Sequence, residues 1–268
     1  MKTNNSVKKT SNGISAGIVI LACFVIAVCF FEFVLGNPSN FMDNNPANHP
    51  LPGNYFGTIY KGGYIVPVVI TLLLTVVTLS IERSIAISRS KGKKSLLNFV
   101  QTIKKNLEDG NLEAAHKTCN EQKGSVASVV NAALIRYADV ENNPNQTKEQ
   151  KMVIIQKEIE ESTALELPSM EQNLPVIATI STLGTLFGLL GTVLGMIRSF
   201  AALANAGAPD SVALSTGISE ALVNTALGIA TGALAIISYN YFTGKIDNIT
   251  YAIDEIGFSI VQTFAAKH

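Results

Sequence analysis

Residues 173–200, NLPVIATISTLGTLFGLLGTVLGMIRSF, and residues 217–242, GISEALVNTALGIATGALAIISYNYF, decide the fold of this chain. Both stretches are apolar and almost free of charge, and a short linker rich in Ala, Gly and Pro near 206–209 separates them. A helix needs about 20 residues to cross the roughly 30 Å hydrocarbon core of a bilayer. Each stretch supplies that length, so the sequence predicts two transmembrane helices.

Small residues recur along one face of each predicted helix. In the first helix these are glycines at steps of four, three and four: Gly184, Gly188, Gly191 and Gly195. In the second helix the same pattern is formed by Ala221, Thr225, Gly228, Gly232 and Ala235. Helices associate in lipid through such faces, because backbones approach closely where side chains are small. We therefore predict that both helices pack tightly against other helices.

A line of polar side chains accompanies the small residues. Its members are Ser181, Thr185, Thr192 and Ser199 in the first helix, and Glu220, Asn224, Thr225 and Thr231 in the second. Positions seven residues apart return to nearly the same helix azimuth, and an ionisable group inside a membrane is costly unless it faces water or a partner. Single hydroxyls can instead bond to the carbonyl one turn back. The stripe as a whole, with Glu220, favours a polar path or a polar helix interface.

The composition limits the class of protein. The chain is 47% hydrophobic and 15% charged, and its formal net charge is zero, so no nucleic-acid-binding footprint is visible. Cys23, Cys29 and Cys119 form no disulfide framework, and no CxxC pair or metal-ligand spacing occurs. His116 and Cys119 are one turn apart but have no third ligand nearby, which favours a packing role. No nucleophile and base stand together either, so we expect a protein that is not an enzyme and has no cofactor or metal.

The order of the segments predicts four membrane spans with both termini in the cytoplasm. Lys and Arg cluster at 83–94, whereas 37–62 is rich in Asn, Pro and Gly and nearly free of cations, and cationic residues stay on the cytoplasmic side. The first apolar run, 14–35, exceeds the roughly 7–15 residues of a signal peptide, so we predict an uncleaved helix.

The predicted segments are a cytoplasmic N-terminus (1–13), transmembrane helix 1 (14–35), an outer loop (36–62), transmembrane helix 2 (63–81), a cytoplasmic helical region (82–172), transmembrane helix 3 (173–200), a second outer loop (201–215), transmembrane helix 4 (216–243) and a cytoplasmic C-terminal helix (244–268). Apolar residues in 82–172 repeat at helical spacing, and 244–268 is amphipathic. The predicted fold class is therefore all-α: a polytopic helical membrane protein whose long helices extend into a cytoplasmic helical bundle.

Two motifs carry a family resemblance. GLLGTVLG at 188–195 and ISEALVNTALGIATGALAIISYNYF at 218–242 resemble the MotA/TolQ/ExbB proton channel family, and they are most similar to its ExbB and TolQ branches. The resemblance covers roughly 164–247, with both motifs in the right order and at the right separation. Outside that range the similarity is architectural, a large helical region between membrane hairpins.

The resemblance implies a multi-pass protein of the bacterial inner membrane, in an organism with an outer membrane, whose two outer loops lie in the periplasm. It implies a homopentameric ring around a pore, which encloses an ExbD- or TolR-like one-span subunit that supplies a membrane Asp and drives a TonB- or TolA-like protein. By motif position, Thr192 and Thr225 correspond to pore-facing threonines and Glu220 to the acidic residue of the last helix. Thr185, Ser181 and Asn224 extend the expected pathway.

The chain departs from the ExbB and TolQ pattern in two places. Gly184 and Thr185 stand where those branches have Ala-Pro, and the N-terminal span is additional and is similar to the four-span MotA branch. The leading hypothesis is a proton-driven motor subunit for outer-membrane import of scarce nutrients. The alternatives are a TolQ-like role in envelope integrity and division, a motility stator and, from a different class, a non-conducting membrane scaffold.

Overall fold

The structure is a computed structural model that describes residues 15–141, 143–205 and 211–267. The predicted cytoplasmic N-terminus, 1–13, lies outside the described residues, as do 206–210 of the predicted second outer loop. Within the described ranges the chain consists of nine α-helices joined by turns, and no strand occurs there. The all-α fold predicted from the sequence is confirmed.

In chain order the helices are α1 (Ala16–Phe30), α2 (Tyr55–Lys61), α3 (Ile65–Lys91), α4 (Leu96–Glu108), α5 (Leu112–Gln122), α6 (Gly124–Glu141), α7 (Lys148–Glu171), α8 (Leu174–Asn205) and α9 (Ser211–Lys267). A π-helical turn, Phe31–Leu35, continues α1, and two 3₁₀ turns, Pro38–Asn40 and Met42–Asn44, follow it.

Four helical stretches of the described residues are long and apolar enough to cross a membrane. They are Ala16–Leu35, Ile65–Glu108, Leu174–Ala201 and Gly217–Lys267. The second of these stretches includes both α3 and α4. The chain is therefore a multi-pass membrane protein. Helix α9 continues without a break through the predicted boundary at 243/244, so that boundary concerns the membrane surface rather than the backbone, and it stays a prediction.

The described residues divide into two compact units. The first consists of 82–172 and 241–267, and the second of 15–81 and 173–240. Helices α3 and α9 each contribute residues to both units. Because the predicted polar region is 82–172, the first unit contains the polar helices and the second contains most of the apolar ones.

The first unit has its own hydrophobic core. Helix α4 places one apolar face there, with Phe99, Val100, Ile103 and Leu107 buried. The end of α9 contributes a stripe at helical spacing, and all of its isoleucines are buried: Ile246, Ile249, Ile253, Ile256 and Ile260. The ring of Phe264 meets that of Tyr137 in α6 edge to face, with centroids 5.0 Å apart. The amphipathic pattern of 244–268 thus has a packing partner in the polar helices.

Arg83 is buried in the first unit, with 1% of its side chain exposed. Its guanidinium is paired with Glu82 and donates to the backbone carbonyls of Ser169 and Met170, at 3.1 and 3.2 Å. These carbonyls lie in the last turn of α7, whose acceptors have no partner within the helix. Arg83 therefore caps α7, a role that its place in a cationic cluster does not predict.

The segment predicted as the first outer loop is compact and contains the short helix α2. Asn40 is buried and donates to the carbonyls of Val34 and Leu35, which end the π-helical turn, at 2.9 and 3.0 Å. The side chain of Asn54 caps α2 by accepting from the Gly57 N–H at 3.0 Å. The loop is thereby fixed to the end of α1 by side-chain hydrogen bonds.

Candidate functional site

Helices α8 and α9 meet at glycines in the second unit. A Cβ atom on Gly228 would lie 2.5 Å from the Gly184 carbonyl oxygen and 2.6 Å from the Gly188 Cα. A Cβ atom on Gly188 would in turn lie 2.9 Å from the Gly228 Cα. Only hydrogen fits at these positions, so the two backbones are as close as glycine allows.

The remaining predicted packing glycines contact the same pair of helices. A Cβ on Gly195 would lie 2.6 Å from the Ala221 Cβ, and one on Gly191 would lie 2.6 Å from the Asn224 Cβ. At the other end, a Cβ on Gly232 would lie 2.6 Å from the Ser181 carbonyl oxygen. As the number rises along α8, the number of its partner in α9 falls, so the helices are antiparallel.

Thr192 and Thr225 come together at this contact. Their hydroxyl groups are hydrogen-bonded to each other, one from each helix. Both also lie within reach of the Gly188 carbonyl, at 3.3 Å from Thr192 Oγ1 and 3.2 Å from Thr225 Oγ1. Both side chains are half-buried. A hydroxyl can donate one hydrogen bond and accept another at the same time, so the pair forms a hydrogen-bonded link between the two helices.

The other predicted hydroxyls bond within their own helix. Thr185 is exposed and donates to the Ser181 carbonyl at 3.4 Å, while Ser181 donates to the Ala178 carbonyl at 2.6 Å. Thr231 is buried and donates to the Leu227 carbonyl at 2.8 Å. These are the local bonds that the sequence left open as the alternative. The hydroxyl groups of the polar line thus divide into one interhelical pair, Thr192 with Thr225, and several that bond within their own helix.

Asn224 joins α9 to a third element. Its side chain is buried, with 1% exposed, and its amide Nδ2 donates to the Gly62 carbonyl at 2.9 Å. Gly62 lies in the turn between α2 and α3. The other amide atom, Oδ1, has no hydrogen-bond partner among the described residues. A buried acceptor without a partner costs about 1–3 kcal/mol unless water fills the site.

Glu220 lies one helical turn before Asn224 and is half-buried. The turn that follows Lys61 at the end of α2 lies against this part of α9, because Asn224 donates to the Gly62 carbonyl. The Arg198 guanidinium lies over the turn that follows α2, since a Cβ on Gly63 would be 3.1 Å from Arg198 Nη1. The acidic group of the predicted pathway therefore lies in a setting with two cations.

Lys61, Gly62 and Arg198 are the members of this setting that were not predicted from the sequence. One signal was available, because Lys61 is the one Lys or Arg between residues 14 and 82. The Gly62 carbonyl carries no signal, since any residue has one. Among the described residues, no group of three His, Cys, Asp or Glu side chains is arranged to hold a metal ion.

Comparison with known protein families matches residues 122–255, half of the chain, to the MotA/TolQ/ExbB proton channel family. This range includes all of α8 and most of α9. The glycine contact, the threonine pair, Glu220 and Asn224 therefore all lie inside the matched range.

Individual relatives carry the names of two branches. The chain is 26% identical over 200 residues to a biopolymer transport protein ExbB homolog of Methanothermobacter thermautotrophicus, which covers 73% of this chain and 66% of that protein. It is 25% identical over 183 residues to the Tol-Pal system protein TolQ of Pseudomonas aeruginosa, covering 66% of this chain and 79% of that protein. It is 29% identical over 85 residues to the biopolymer transport protein ExbB of Salmonella typhimurium, and this alignment covers 32% of this chain and 35% of that protein.

Proposed function

The chain belongs to the MotA/TolQ/ExbB proton channel family, and from this premise we propose that it is the proton-conducting motor subunit of an ExbB–ExbD-like complex in a bacterial inner membrane. The complex uses the proton motive force to energise a TonB-like protein for nutrient import across an outer membrane. The family transports protons rather than catalysing a chemical conversion, so the chain acts as a channel and motor component and not as an enzyme.

The hydrogen bond between Thr192 and Thr225 is the observation that carries the proposal. It lies at the glycine contact of the two helices that the family match includes, and it joins two hydroxyls that are half-buried rather than sealed in a core. Hydroxyls relay or stabilise a proton carrier but do not carry the charge themselves. Glu220, the one acidic residue between 211 and 240, supplies a group that can take up and release a proton.

The proposed complex needs more chains than this one. No Asp occurs between 211 and 240, in the apolar part of α9, so we assign the central carboxylate to an ExbD- or TolR-like one-span subunit. Helix α8 has a row of exposed large apolar side chains: Leu186, Leu189, Leu190, Val193 and Ile197. Such a face needs lipid or a neighbouring subunit, and in the proposed homopentameric ring a neighbouring subunit covers part of it. Thr185, Ser181 and Asn224 remain proposed members of the pathway.

A TolQ-like role in envelope integrity and division is the second candidate. The alignment with the TolQ protein of Pseudomonas aeruginosa covers 79% of that protein, whereas the alignment with the ExbB protein of Salmonella typhimurium covers 35% of that protein. The two roles differ in the partner. A neighbouring gene for a one-span protein with a membrane Asp, followed by a TonB-like gene, supports import. A TolA-like gene in that position supports the second role.

Co-purification of the full chain with its genomic neighbours, identified by mass spectrometry, tests the partner assignment. Growth that depends on TonB-driven uptake of an iron chelate tests the conducting role in cells that express Thr225→Ala or Glu220→Ala. We expect both variants to fail to support growth at wild-type protein levels. Normal growth with both would leave the non-conducting scaffold as the better description.

A further inference from the structure

The first outer segment brings one cation to α9. Lys61 ends α2 and stands in a segment that otherwise has no Lys or Arg from residue 14 to residue 82. The family match begins at residue 122, so α1, α2 and the loop between them lie outside it. A contact from this segment to the matched helices therefore adds something that the match does not describe.

The turn that ends this segment is hydrogen-bonded to α9 through Asn224. The Asn224 side chain lies over Gly191 of α8, where a Cβ would be 2.6 Å from the Asn224 Cβ, and its amide donates to the Gly62 carbonyl. The Asn224 side chain is buried, so this bond is shielded from water and constrains the turn after Lys61. A Cβ on Gly62 would lie 2.9 Å from Asn224 Oδ1 and 2.7 Å from a Val66 methyl group, so the approach is close.

The Lys61 ammonium group has two further neighbours in the loop that precedes α2. Its Nζ donates to the Ala47 carbonyl at 3.1 Å and lies 5.7 Å from the centre of the Phe41 ring. Phe41 is buried and packs edge to face on Tyr60, with centroids 5.5 Å apart, and Tyr60 stacks on Phe31 at the end of α1 at 4.6 Å. A lysine with a carbonyl and an aromatic ring as fixed neighbours samples fewer positions than a free one.

We propose that Lys61 is a positioning residue for Glu220: the α2–α3 turn is latched to α9 through the bond from Asn224 to Gly62, and the latch holds the Lys61 charge where it acts on the Glu220 carboxyl group. The positioning role of Lys61 rests on the proposed function only for the part that Glu220 plays in the proton pathway. Lys61 directly precedes Gly62, which is bonded to Asn224 one helical turn from Glu220, and the Arg198 guanidinium lies over the next residue, Gly63. The additional N-terminal hairpin is thereby a part of the site and not only an anchor.

The test measures the state of Glu220 directly and not through motor activity. A hydrophobic carbodiimide modifies carboxyl groups in their protonated form, and a nearby cation favours the ionised form. In the purified complex at pH 7, Lys61→Met should therefore raise the rate at which Glu220 is modified, as measured by mass spectrometry of its peptide. Lys61→Arg, which keeps the charge, should restore the wild-type rate.

Two further variants separate the latch from a general loss of structure. Asn224→Ala removes the bond to Gly62 and should raise the modification rate as Lys61→Met does, and the double variant should exceed neither. Lys157→Met, which removes an exposed cation of α7 that pairs with Glu161, should leave the rate unchanged. An unchanged rate in Lys61→Met overturns the proposal, as does an equal rise in Lys61→Arg or in Lys157→Met.

The same experiment distinguishes this proposal from the proposed function. If Lys61→Met changes the modification of Glu220 while Glu220→Gln supports normal proton-driven growth, the positioning role stands and the pathway role of Glu220 falls. If Glu220→Gln abolishes growth while Lys61→Met leaves the modification rate unchanged, the pathway stands and the positioning role falls. If Lys61→Met does not accumulate in membranes, the comparison of Asn224→Ala with wild type decides in the same way.

Discussion

The hydroxyl groups of Thr192 and Thr225 are hydrogen-bonded to each other across the contact between α8 and α9, and Thr225 Oγ1 also lies 3.2 Å from the Gly188 carbonyl oxygen. The pair depends on the glycines around it, because two threonines on helices held further apart could not bond directly. Tight packing and the polar line are thus one arrangement in this chain.

Replacing Thr225 with Val keeps its shape and removes its hydroxyl. Thr192 keeps an acceptor in the Gly188 carbonyl at 3.3 Å, so we expect a loss of unfolding free energy of only about 1 kcal/mol. Proton-driven growth should nevertheless fail, because the bond between the helices is lost. Thr225→Ser should support growth. Growth of cells with Thr225→Val at matched protein levels checks this, and normal growth would show that the hydroxyl is dispensable.

Gly228→Ala should destabilise the α8–α9 contact. The new methyl group would meet backbone atoms of Gly184 and Gly188, which cannot move aside as a flexible side chain can. We expect a loss of about 1–3 kcal/mol of unfolding free energy. The measurement is thermal unfolding of the purified protein in detergent.

Gly244→Ala is the matched control, because a Cβ at Gly244 has no heavy atom within 4 Å. Within a helix, Ala is favoured over Gly by about 0.5–1 kcal/mol, so this variant should unfold at an equal or higher temperature. Equal melting of the two variants would mean that the helices do not meet at Gly228.

Arg83→Ala should destabilise the first unit. It removes the donor to the Ser169 and Met170 carbonyls and the partner of Glu82, and breaking a buried ion pair costs about 3–5 kcal/mol. Lys should not substitute, since one ammonium group lacks the planar fork of the guanidinium. Denaturant unfolding followed by circular dichroism measures the effect.

Arg136→Ala is the control for Arg83. Arg136 pairs with Glu158 at 2.7 Å, but 43% of its side chain is exposed, and exposed pairs contribute about 0–1 kcal/mol. Similar losses for both arginines would contradict the capping role of Arg83.

Cys119 should be unreactive in the folded protein. Burial raises the pKa of its thiol to about 12, and only the thiolate reacts with alkylating reagents. Because the folded pKa lies far above the working range, labelling by iodoacetamide between pH 7 and pH 9 should stay slow until denaturant is added. A cysteine introduced at the exposed neighbouring position by Lys117→Cys should label readily and faster at higher pH. Rapid labelling of Cys119 in the native state would contradict its burial.

The helical fold and the small-residue faces of α8 and α9 were predictable because their signals are local, whereas the sequence did not predict that the two faces contact each other. Glycines at steps of three and four lie on one helix face whatever the helix packs against, and Thr192 and Thr225 stand among them. Their roles in a pathway stay predictions. The sequence left open which hydroxyls bond to the other helix and which bond within their own helix. A threonine on a helix can always reach the carbonyl one turn back, as Thr231 does.

The contacts of Arg83 and Asn224 were not predictable, because they depend on tertiary structure. The sequence gives the charge of Arg83, which suits the cytoplasmic side of a membrane, but not its burial against the end of α7. Asn224 was predicted as a member of the polar stripe, whereas its partner, the Gly62 carbonyl, is a backbone group 162 residues away in the chain. Such a pair leaves no pattern in one sequence.

Proton flux through the reconstituted complex tests the central claim most directly. The chain would be purified with its one-span partner, placed in vesicles containing a pH-sensitive dye, and exposed to an imposed membrane potential. We predict that the wild-type complex and Glu220→Asp conduct protons, whereas Glu220→Gln, which keeps the shape but cannot ionise, loses most of the flux. Equal flux through the wild-type and Glu220→Gln complexes would contradict the account.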